Sequence, residues 1–479
     1  MKRIPRTIVA IGVAAACVVS GNPALATPLT VPGLPAPALP AELPTELPSA
    51  TAPTDTQQAP TTPDPRWTTI TPGGMGDFPL KPTRDANAGQ VVSSEDVELM
   101  ATNALWQSTA KRFDYSSTDS MGRASVDRAL YIEPTAPWRG DGPRPLVAIA
   151  PGTQGTGTYC DPSQSTVAGP TFHTNPPDIV VPYETIPIAV HLSQGAAVVI
   201  IDHHRNPETG AQEYVDNISS GQSLLDAAEA TQDFGVDPAA PIATYGYSQG
   251  GSASGAAAQM AGYYAPHLNI AVNAVGGPPS DLMDVLDTVE GGMLAGVLGF
   301  AIDGLLSKDP ELRDHIYESE MSETGREVVT KNNSGCMGNA ILTTGFRSTS
   351  ELTKSGETLK QIIEKYPPIV EEIKRQKLGH TAPTAPTLVW GGIGDDVIPI
   401  GQIRRLRDDW IAAGGDIHYF ENEVPPIPGN LGIGHALPML AHIDYIAQFI
   451  WSELDPHGSR FANVVPPEIN ASALTNRAS

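Results

Sequence analysis

The chain has 479 residues, 40% of them hydrophobic, and it carries 53 acidic against 29 basic side chains for a net charge of −24. This surplus of acid argues against a nucleic-acid partner, because binding to phosphates requires clustered lysine and arginine. The apolar content over this length is enough for a large buried core, and length alone would allow two or three domains.

The first 26 residues predict a secretory signal peptide. A basic start that includes Lys2 is followed by an apolar core at 8–19 and by an Ala-Leu-Ala cleavage site at 24–26. A lipid anchor on Cys17 is the alternative, but Ala14 stands where a bulkier aliphatic side chain is expected. We therefore expect a protein that is secreted or associated with the cell envelope once the signal is removed.

The rest of the chain divides into a linker, a folded body and a tail. Residues 27–66 predict an extended linker, because proline recurs every few residues beside alanine and threonine. We expect the folded body to span 67–454 and a C-terminal tail to span 455–479. Cys160 and Cys336 remain after signal removal, and an even pair in an exported chain predicts one disulfide; two unpaired buried thiols are the alternative.

Short apolar runs separated by helical patterns indicate the fold class. The candidate strands are at 129–132, 145–150, 196–202, 242–245, 387–390 and 417–420. Continuous apolar runs are typical of parallel strands that are covered on both faces. Helical patterns at 220–234 and 402–413 alternate with them, so the sequence predicts an α/β fold with a mostly parallel, doubly wound sheet.

A glycine-rich loop, residues 151–157, directly follows the second of these strands. Its glycines would let backbone amides approach an oxyanion closely. The amide of Thr153 or that of Gln154 is the candidate donor, and an ordinary glycine-rich turn is the alternative.

The run Gly246-Tyr247-Ser248-Gln249-Gly250 places a serine between two glycines, after a strand and before a helical stretch of small residues. A serine becomes a strong nucleophile when a sharp strand-to-helix turn presents it to a base, and such a turn leaves no room for side chains at the flanking positions. The amide of Gln249 would stand at a helix start, where it can donate to an oxyanion. An accidental Gly/Ser turn is the alternative.

The stretch at about 280–380 lacks strand patterns and predicts a helical cap, or lid, inserted over the carboxyl edge of the sheet. Its most apolar part, at 292–300, is a candidate acyl-binding groove; ordinary packing against the body is the alternative.

An acid and a base follow this stretch in the order that α/β hydrolases use. Asp395 stands on a turn after the strand at 387–390, with Asp396 as its rival. His435 follows the last strand and a loop of proline and glycine, just before a terminal helix predicted at 437–454. His442 would lie within that helix, as a packed or capping residue.

A metal site is not expected. Asp202, His203 and His204 are ligand types, but neighbours along a strand point to opposite faces and no further spaced ligands accompany them.

These segments resemble the secretory lipase family of α/β hydrolases over about Ser93 to Leu454. The matching segments are APGTQGTGTYCDPS at 150–163, VVIIDHH at 198–204, YGYSQGGSASGAAAQMAGYYAP at 245–266, GDDVIP at 394–399 and GIGHALPML at 432–440. The resemblance implies fatty-acid esters as substrates, a helical cap over the site, and no metal or organic cofactor. It also implies a triad of Ser248, Asp395 and His435. The run at 202–206 departs from the Asp-Tyr-Glu-Gly of relatives, which would alter the pocket wall.

We therefore predict a secreted serine carboxylester hydrolase, a lipase that acts through an acyl-enzyme on Ser248. Its expected partners are a lipid or ester substrate and, transiently, a lipid interface; no nucleic acid and no obligate protein partner are expected. Two alternatives use the same scaffold. One is acyl transfer to an envelope lipid by the same triad, and the other is a catalytically silent envelope-binding module.

Overall fold

The computed structural model describes Gln58 and residues 62–99, 107–174, 177–208 and 210–457. The chain divides into two units, residues 1–56 and 57–479, and every described residue belongs to the second. The predicted signal peptide, the linker apart from Gln58 and 62–66, and the tail beyond residue 457 lie outside the described residues.

A nine-stranded sheet forms the centre of the described unit. The described residues form eleven strands in all, two of them outside this sheet: β1 (Val91–Val97), β2 (Ser108–Thr118), β3 (Ala124–Pro134), β4 (Leu146–Ala150), β5 (Thr171–Thr174), β6 (Pro177–Val180), β7 (Ala197–Ile201), β8 (Ile242–Tyr247), β9 (Ile270–Gly276), β10 (Thr387–Gly392) and β11 (Ile417–Asn422). The order is β1-β2-β3-β7-β4-β8-β9-β10-β11, and β5 and β6 form a separate hairpin. Pairing is antiparallel from β1 to β7 and parallel from β7 to β11. The prediction of a mostly parallel sheet is confirmed.

Helices cover both faces of this sheet. They are α1 (Pro162–Ala168), α2 (Thr185–Gln194), α3 (Asn217–Ala230), α4 (Gln249–Tyr264), α5 (Leu282–Val289), α6 (Val297–Leu306), α7 (Pro310–Ser319), α8 (Glu323–Asn333), α9 (Met337–Thr344), α10 (Leu359–Glu364), α11 (Pro367–Arg375), α12 (Ile400–Ala412), α13 (Ile433–Ala441) and α14 (Ile443–Leu454). Alternate side chains of β4 enter two hydrophobic clusters, one with α3 and α4 and the other with α2 and α14. Both faces are therefore buried, as the apolar runs predicted. None of the described helices is both long enough and apolar enough to cross a membrane.

The six predicted strands correspond to β3, β4, β7, β8, β10 and β11. Strand β9, in the middle of the parallel region, was missed because Asn273 interrupts its apolar run. The amide of Asn273 is satisfied inside the sheet: it accepts from Thr244 Oγ1 at 2.9 Å and donates to Thr387 Oγ1 at 3.0 Å. Both partners lie on neighbouring strands, which the local sequence does not reveal.

Helices α5–α11 form an insertion between β9 and β10, and we call residues 282–375 the helical insertion. Near its end α10 and α11 are separate helices, because Pro367 and Pro368 cannot donate the amide hydrogen bonds that would continue α10. That the helical insertion acts as a lid stays a prediction.

The disulfide Cys160–Cys336 ties the helical insertion to the segment after the glycine-rich loop. Its Cα atoms are 5.5 Å apart and its cysteines are separated by 176 positions in sequence. Both residues are fully buried. The bond therefore closes a very long loop, which is the situation in which a cross-link removes most entropy from the unfolded chain.

Replacing both cysteines by alanine is expected to lower the free energy of unfolding by about 2–4 kcal/mol, because the unfolded chain regains this loop entropy. The measurement is the guanidinium midpoint with and without a thiol reductant. The reductant should lower the midpoint of the wild type and leave that of the double variant unchanged. Equal midpoints for the two proteins under oxidising conditions would contradict this expectation.

Candidate active site

Ser248 lies at a strained turn between β8 and α4. Its backbone has φ 59° and ψ −123°, a conformation that non-glycine residues seldom adopt and that recurs at functional sites. Added Cβ atoms on Gly246 and Gly250 would lie only 1.9 Å and 2.0 Å from the carbonyl oxygens of Gly250 and Ala150. Both flanking positions therefore require glycine, as the sequence pattern predicted. The serine itself is half-buried.

Asp395 and His435 meet at a direct contact. The Oδ2 atom of Asp395 is 2.8 Å from Nδ1 of His435, and the carboxylate is fully buried. The other oxygen, Oδ1, accepts from the amides of Val397 at 2.9 Å and Ile398 at 2.7 Å. The acid is thus held from both sides, which fixes the orientation of the imidazole.

Asp396 has a different task, since it caps helix α13. Its Oδ2 accepts from the Gly432 amide at 2.8 Å and its Oδ1 from the His435 amide at 3.2 Å. His435 consequently lies inside α13, and its predicted place in a loop before the terminal helix is wrong. The glycines suggested a loop, but a carboxylate from the turn after β10 satisfies the first amides of a helix.

Tyr247 joins the serine turn to the histidine helix. Its hydroxyl donates to the carbonyl of His435 at 2.6 Å, and the two rings are 5.2 Å apart. Within the described residues, no hydrogen-bond partner lies on Nε2 of His435, which is buried. His435 therefore contacts Asp395 directly, and it is linked to the serine turn through Tyr247, the residue before Ser248. The serine hydroxyl makes no hydrogen bond to the imidazole. Catalytic hydrogen bonds are often long before substrate binds.

The glycine-rich loop passes beside the serine turn. Strands β4 and β8 are neighbours, and a Cβ atom on Gly152 would lie 3.2 Å from the carbonyl oxygen of Tyr247. The Thr153 hydroxyl bonds to the Tyr214 hydroxyl at 2.7 Å. Gln249 is the first residue of α4, so its amide has no carbonyl one turn back in its own helix. The Gln249 amide therefore adjoins Ser248, and Gly152, the residue before Thr153, lies against the serine turn.

Each residue of the Asp202-His203-His204 run contacts a different partner. Asp202 accepts from the amide and hydroxyl of Ser163, His203 Nε2 contacts the Pro151 carbonyl at 2.8 Å, and His204 Nδ1 contacts Asp127 at 2.8 Å. Over the described ranges, no three His, Cys, Asp or Glu side chains are grouped in a way that could hold a metal ion.

The apolar segment at 292–300 begins as turns and continues as α6. Its last residue, Phe300, is fully buried and its ring lies 5.7 Å from that of Tyr214. Packing therefore accounts for Phe300, and the acyl-binding groove stays a prediction.

Sequence reasoning missed Glu184, Tyr183 and Tyr214, which surround the glycine-rich loop. Glu184 accepts from the Gly152 amide, Tyr183 donates to the Thr153 carbonyl, and Tyr214 bonds to the Thr153 hydroxyl. They belong to no motif, so no local signal in the sequence could have found them.

Comparison with known proteins gives consistent matches. A family model described as secretory lipase matches residues 172–437. A probable inactive lipase of Mycobacterium tuberculosis is 26% identical over 346 residues, which cover 71% of this chain and 75% of that protein. Lipase A of Moesziomyces aphidis is 25% identical over 368 residues, 74% of each chain. Among solved structures, Candida antarctica lipase A in its closed state has a TM-score of 0.66 at 22% identity, covering 79% of this chain and 86% of its own. The predicted α/β-hydrolase fold is confirmed.

Proposed function

The chain belongs to the secretory lipase family, and from that premise we propose that it is a secreted, serine-dependent lipase. Its substrates in this proposal are carboxylic esters of fatty acids, which it cleaves through an acyl-enzyme on Ser248. The observation that carries the proposal is the assembly around one turn: a serine at φ 59°, a buried aspartate 2.8 Å from a histidine, and two candidate amide donors.

Each residue has a role in the proposed reaction. His435 Nε2 takes the proton of the Ser248 hydroxyl as the oxygen attacks the ester carbonyl, and later gives it to the leaving alcohol. Asp395 keeps the proton of the neutral imidazole on Nδ1 and stabilises the imidazolium. The amides of Gln249 and Thr153 stabilise the oxyanion of the tetrahedral intermediate. Water, activated by the same histidine, then releases the fatty acid from Ser248.

The decisive test is covalent labelling with a fluorophosphonate, followed by mass spectrometry of the protein without its signal peptide. Folded wild type should carry one adduct on Ser248, and heat-denatured protein or the His435→Ala variant should carry none. Hydrolysis of p-nitrophenyl esters of increasing chain length would then give the acyl preference.

A catalytically silent relative of the lipases is the second candidate. The match to a probable inactive lipase and the absence of a hydrogen bond on His435 Nε2, within the described residues, favour it. A folded protein that takes no fluorophosphonate label and leaves short esters intact would show that the chain is catalytically silent, and would overturn the proposed lipase. Esters formed when a competing alcohol is present would instead indicate acyl transfer.

The two neighbouring aspartates should respond differently to substitution by asparagine. Asp395→Asn is expected to lower kcat about 10⁴-fold, because an amide can hold the wrong tautomer of His435. Asp396→Asn should chiefly lower the free energy of unfolding, by about 1–3 kcal/mol, because it weakens the cap of α13. The measurements are kcat on a soluble ester and the denaturant midpoint of both variants. Equal losses of kcat would contradict the assignment.

A further inference from the structure

The glycine-rich loop is held by protein partners along most of its length. The carbonyl of Pro151 meets His203, that of Thr153 accepts from Tyr183 at 3.1 Å, that of Gln154 accepts from the Met337 amide at 2.9 Å, and the amides of Thr156 and Gly157 donate to Gly335 at 3.2 and 3.0 Å. Among the described residues, no acceptor binds the amide of Thr153. This amide is therefore free for a substrate oxygen, while its surroundings are fixed.

Glu184 makes the contacts on either side of that amide. Its Oε1 accepts from the Gly152 amide at 2.7 Å, and its Oε2 accepts from Nε2 of Gln154 at 2.5 Å. The residue precedes α2 and is only 5% exposed. Because a buried carboxyl group is costly unless its oxygens are bonded, this pair of contacts is a well-defined constraint on the loop.

We propose that Glu184 is a positioning residue for ester hydrolysis: by binding Gly152 and Gln154, it fixes the direction of the Thr153 amide between them. The inference rests on the proposed function, in which that amide stabilises the oxyanion. Glu184 does not touch the reacting atoms. Its effect comes through the geometry of a donor whose displacement by about 1 Å can cost a factor of 10² in rate.

The protonation of Glu184 adds a second consequence. Burial, only partly offset by its own amide, the Gly152 amide and the side chains of Gln154 and Tyr183, raises the pKa of Glu184 to about 8. The phenols of Tyr183 and Tyr245 face it, and burial raises the pKa of each so that both stay neutral. At neutral pH the carboxyl group is therefore mostly protonated, and it can donate to the Gln154 amide oxygen once that amide is turned.

Ionisation of Glu184 would place a negative charge on the group that binds Gly152, next to the proposed oxyanion donor Thr153. Because like charges repel strongly in a buried site, the tetrahedral intermediate would become harder to form as the pH rises through about 8. The wild-type kcat should therefore fall on the alkaline side, and an uncharged isostere should remove that fall.

The experiment compares Glu184→Ala and Glu184→Gln with the wild type on a soluble p-nitrophenyl ester between about pH 6 and 10. Glu184→Ala should lower kcat by about 10- to 100-fold at pH 7 with little change in KM, because the loss concerns the transition state. Glu184→Gln should keep kcat within about threefold at pH 7, since its Oε1 can accept from the Gly152 amide and its Nε2 can donate to the Oε1 of a turned Gln154 amide, and should keep it above pH 8. Glu320→Gln, at a buried glutamate of the helical insertion, is the matched control and should follow the wild-type profile.

Several results would overturn the proposal. One is a Glu184→Ala variant with the kcat of the wild type. Another is a Glu184→Gln variant whose kcat at pH 7 drops as far as that of Glu184→Ala, or whose kcat still falls above pH 8. If Glu184→Ala does not fold, the pH profile of Glu184→Gln decides. A wild-type protein that neither hydrolyses esters nor takes a fluorophosphonate adduct would end the proposed function itself. An active wild type whose Glu184 variants have the same kcat and the same pH profile would instead end only the proposed role of Glu184.

Discussion

Replacing Ser248 by alanine is expected to lower kcat for ester hydrolysis about 10⁶-fold, because the acyl-enzyme can no longer form. His435→Ala should lower kcat by about the same factor. The Ser248→Ala/His435→Ala double variant should have a kcat no lower than either single variant, since nucleophile and base act as one unit. The residual rate would come from binding and the oxyanion donors. The measurement is kcat on a soluble ester, with each variant checked for folding by its denaturant midpoint.

Ser252→Ala is the matched control for Ser248→Ala. Ser252 is buried in the first turn of the same helix, and its hydroxyl donates to the Gln249 carbonyl at 2.9 Å. It has no role in the proposed chemistry, so kcat should remain near that of the wild type. Ester hydrolysis that survives in Ser248→Ala would show that another group is the nucleophile.

The serine turn could be predicted because its requirements are local. A turn that brings backbone within 2 Å of a Cβ position demands glycine on both sides of Ser248, and that demand is visible in five residues. The sheet could be predicted for a similar reason, since burial on both faces leaves continuous apolar runs. Strand β9 was not predicted, because Asn273 interrupts its apolar run and has its hydrogen-bond partners on other strands.

The site around the triad could be predicted only in part, because its remaining constraints are tertiary. The choice between Asp395 and Asp396 depends on which carboxylate faces the imidazole and which caps α13, and both stand in the same turn. The glycine-rich loop was visible as a candidate, but Glu184 reaches it from 30 positions away in sequence. Long-range contacts of this kind leave no periodic pattern.

Lys308→Met is expected to lower the free energy of unfolding by about 3–5 kcal/mol, because it leaves the buried Asp216 carboxylate without its ion-pair partner and takes one of two cations from Glu372. Lys308 Nζ lies 2.6 Å from Asp216 Oδ2 and 2.6 Å from Glu372 Oε1, and all three side chains are almost completely buried. Asp216 caps α3 in the body, and Glu372 lies on α11, so the lysine connects the helical insertion to the sheet layer. The measurement is the denaturant midpoint and slope.

Two further variants and the pH dependence test whether the charges are responsible. Lys374→Met removes an exposed partner of Glu371 on α11 and should lower the free energy of unfolding by less than about 1 kcal/mol. Adding Asp216→Asn to Lys308→Met should restore part of the loss, because the unpaired buried carboxylate disappears while Glu372 keeps its ion pair with Arg375. Burial alone would raise the pKa of Asp216, but the charges of Lys308 and Arg375 outweigh it and hold that pKa below its ordinary 3.8. This stabilisation is therefore present above about pH 4 and lost as the pH falls further, so acid should destabilise the wild type more than the Lys308→Met/Asp216→Asn double variant. Equal acid sensitivity would contradict an electrostatic connection between the two layers.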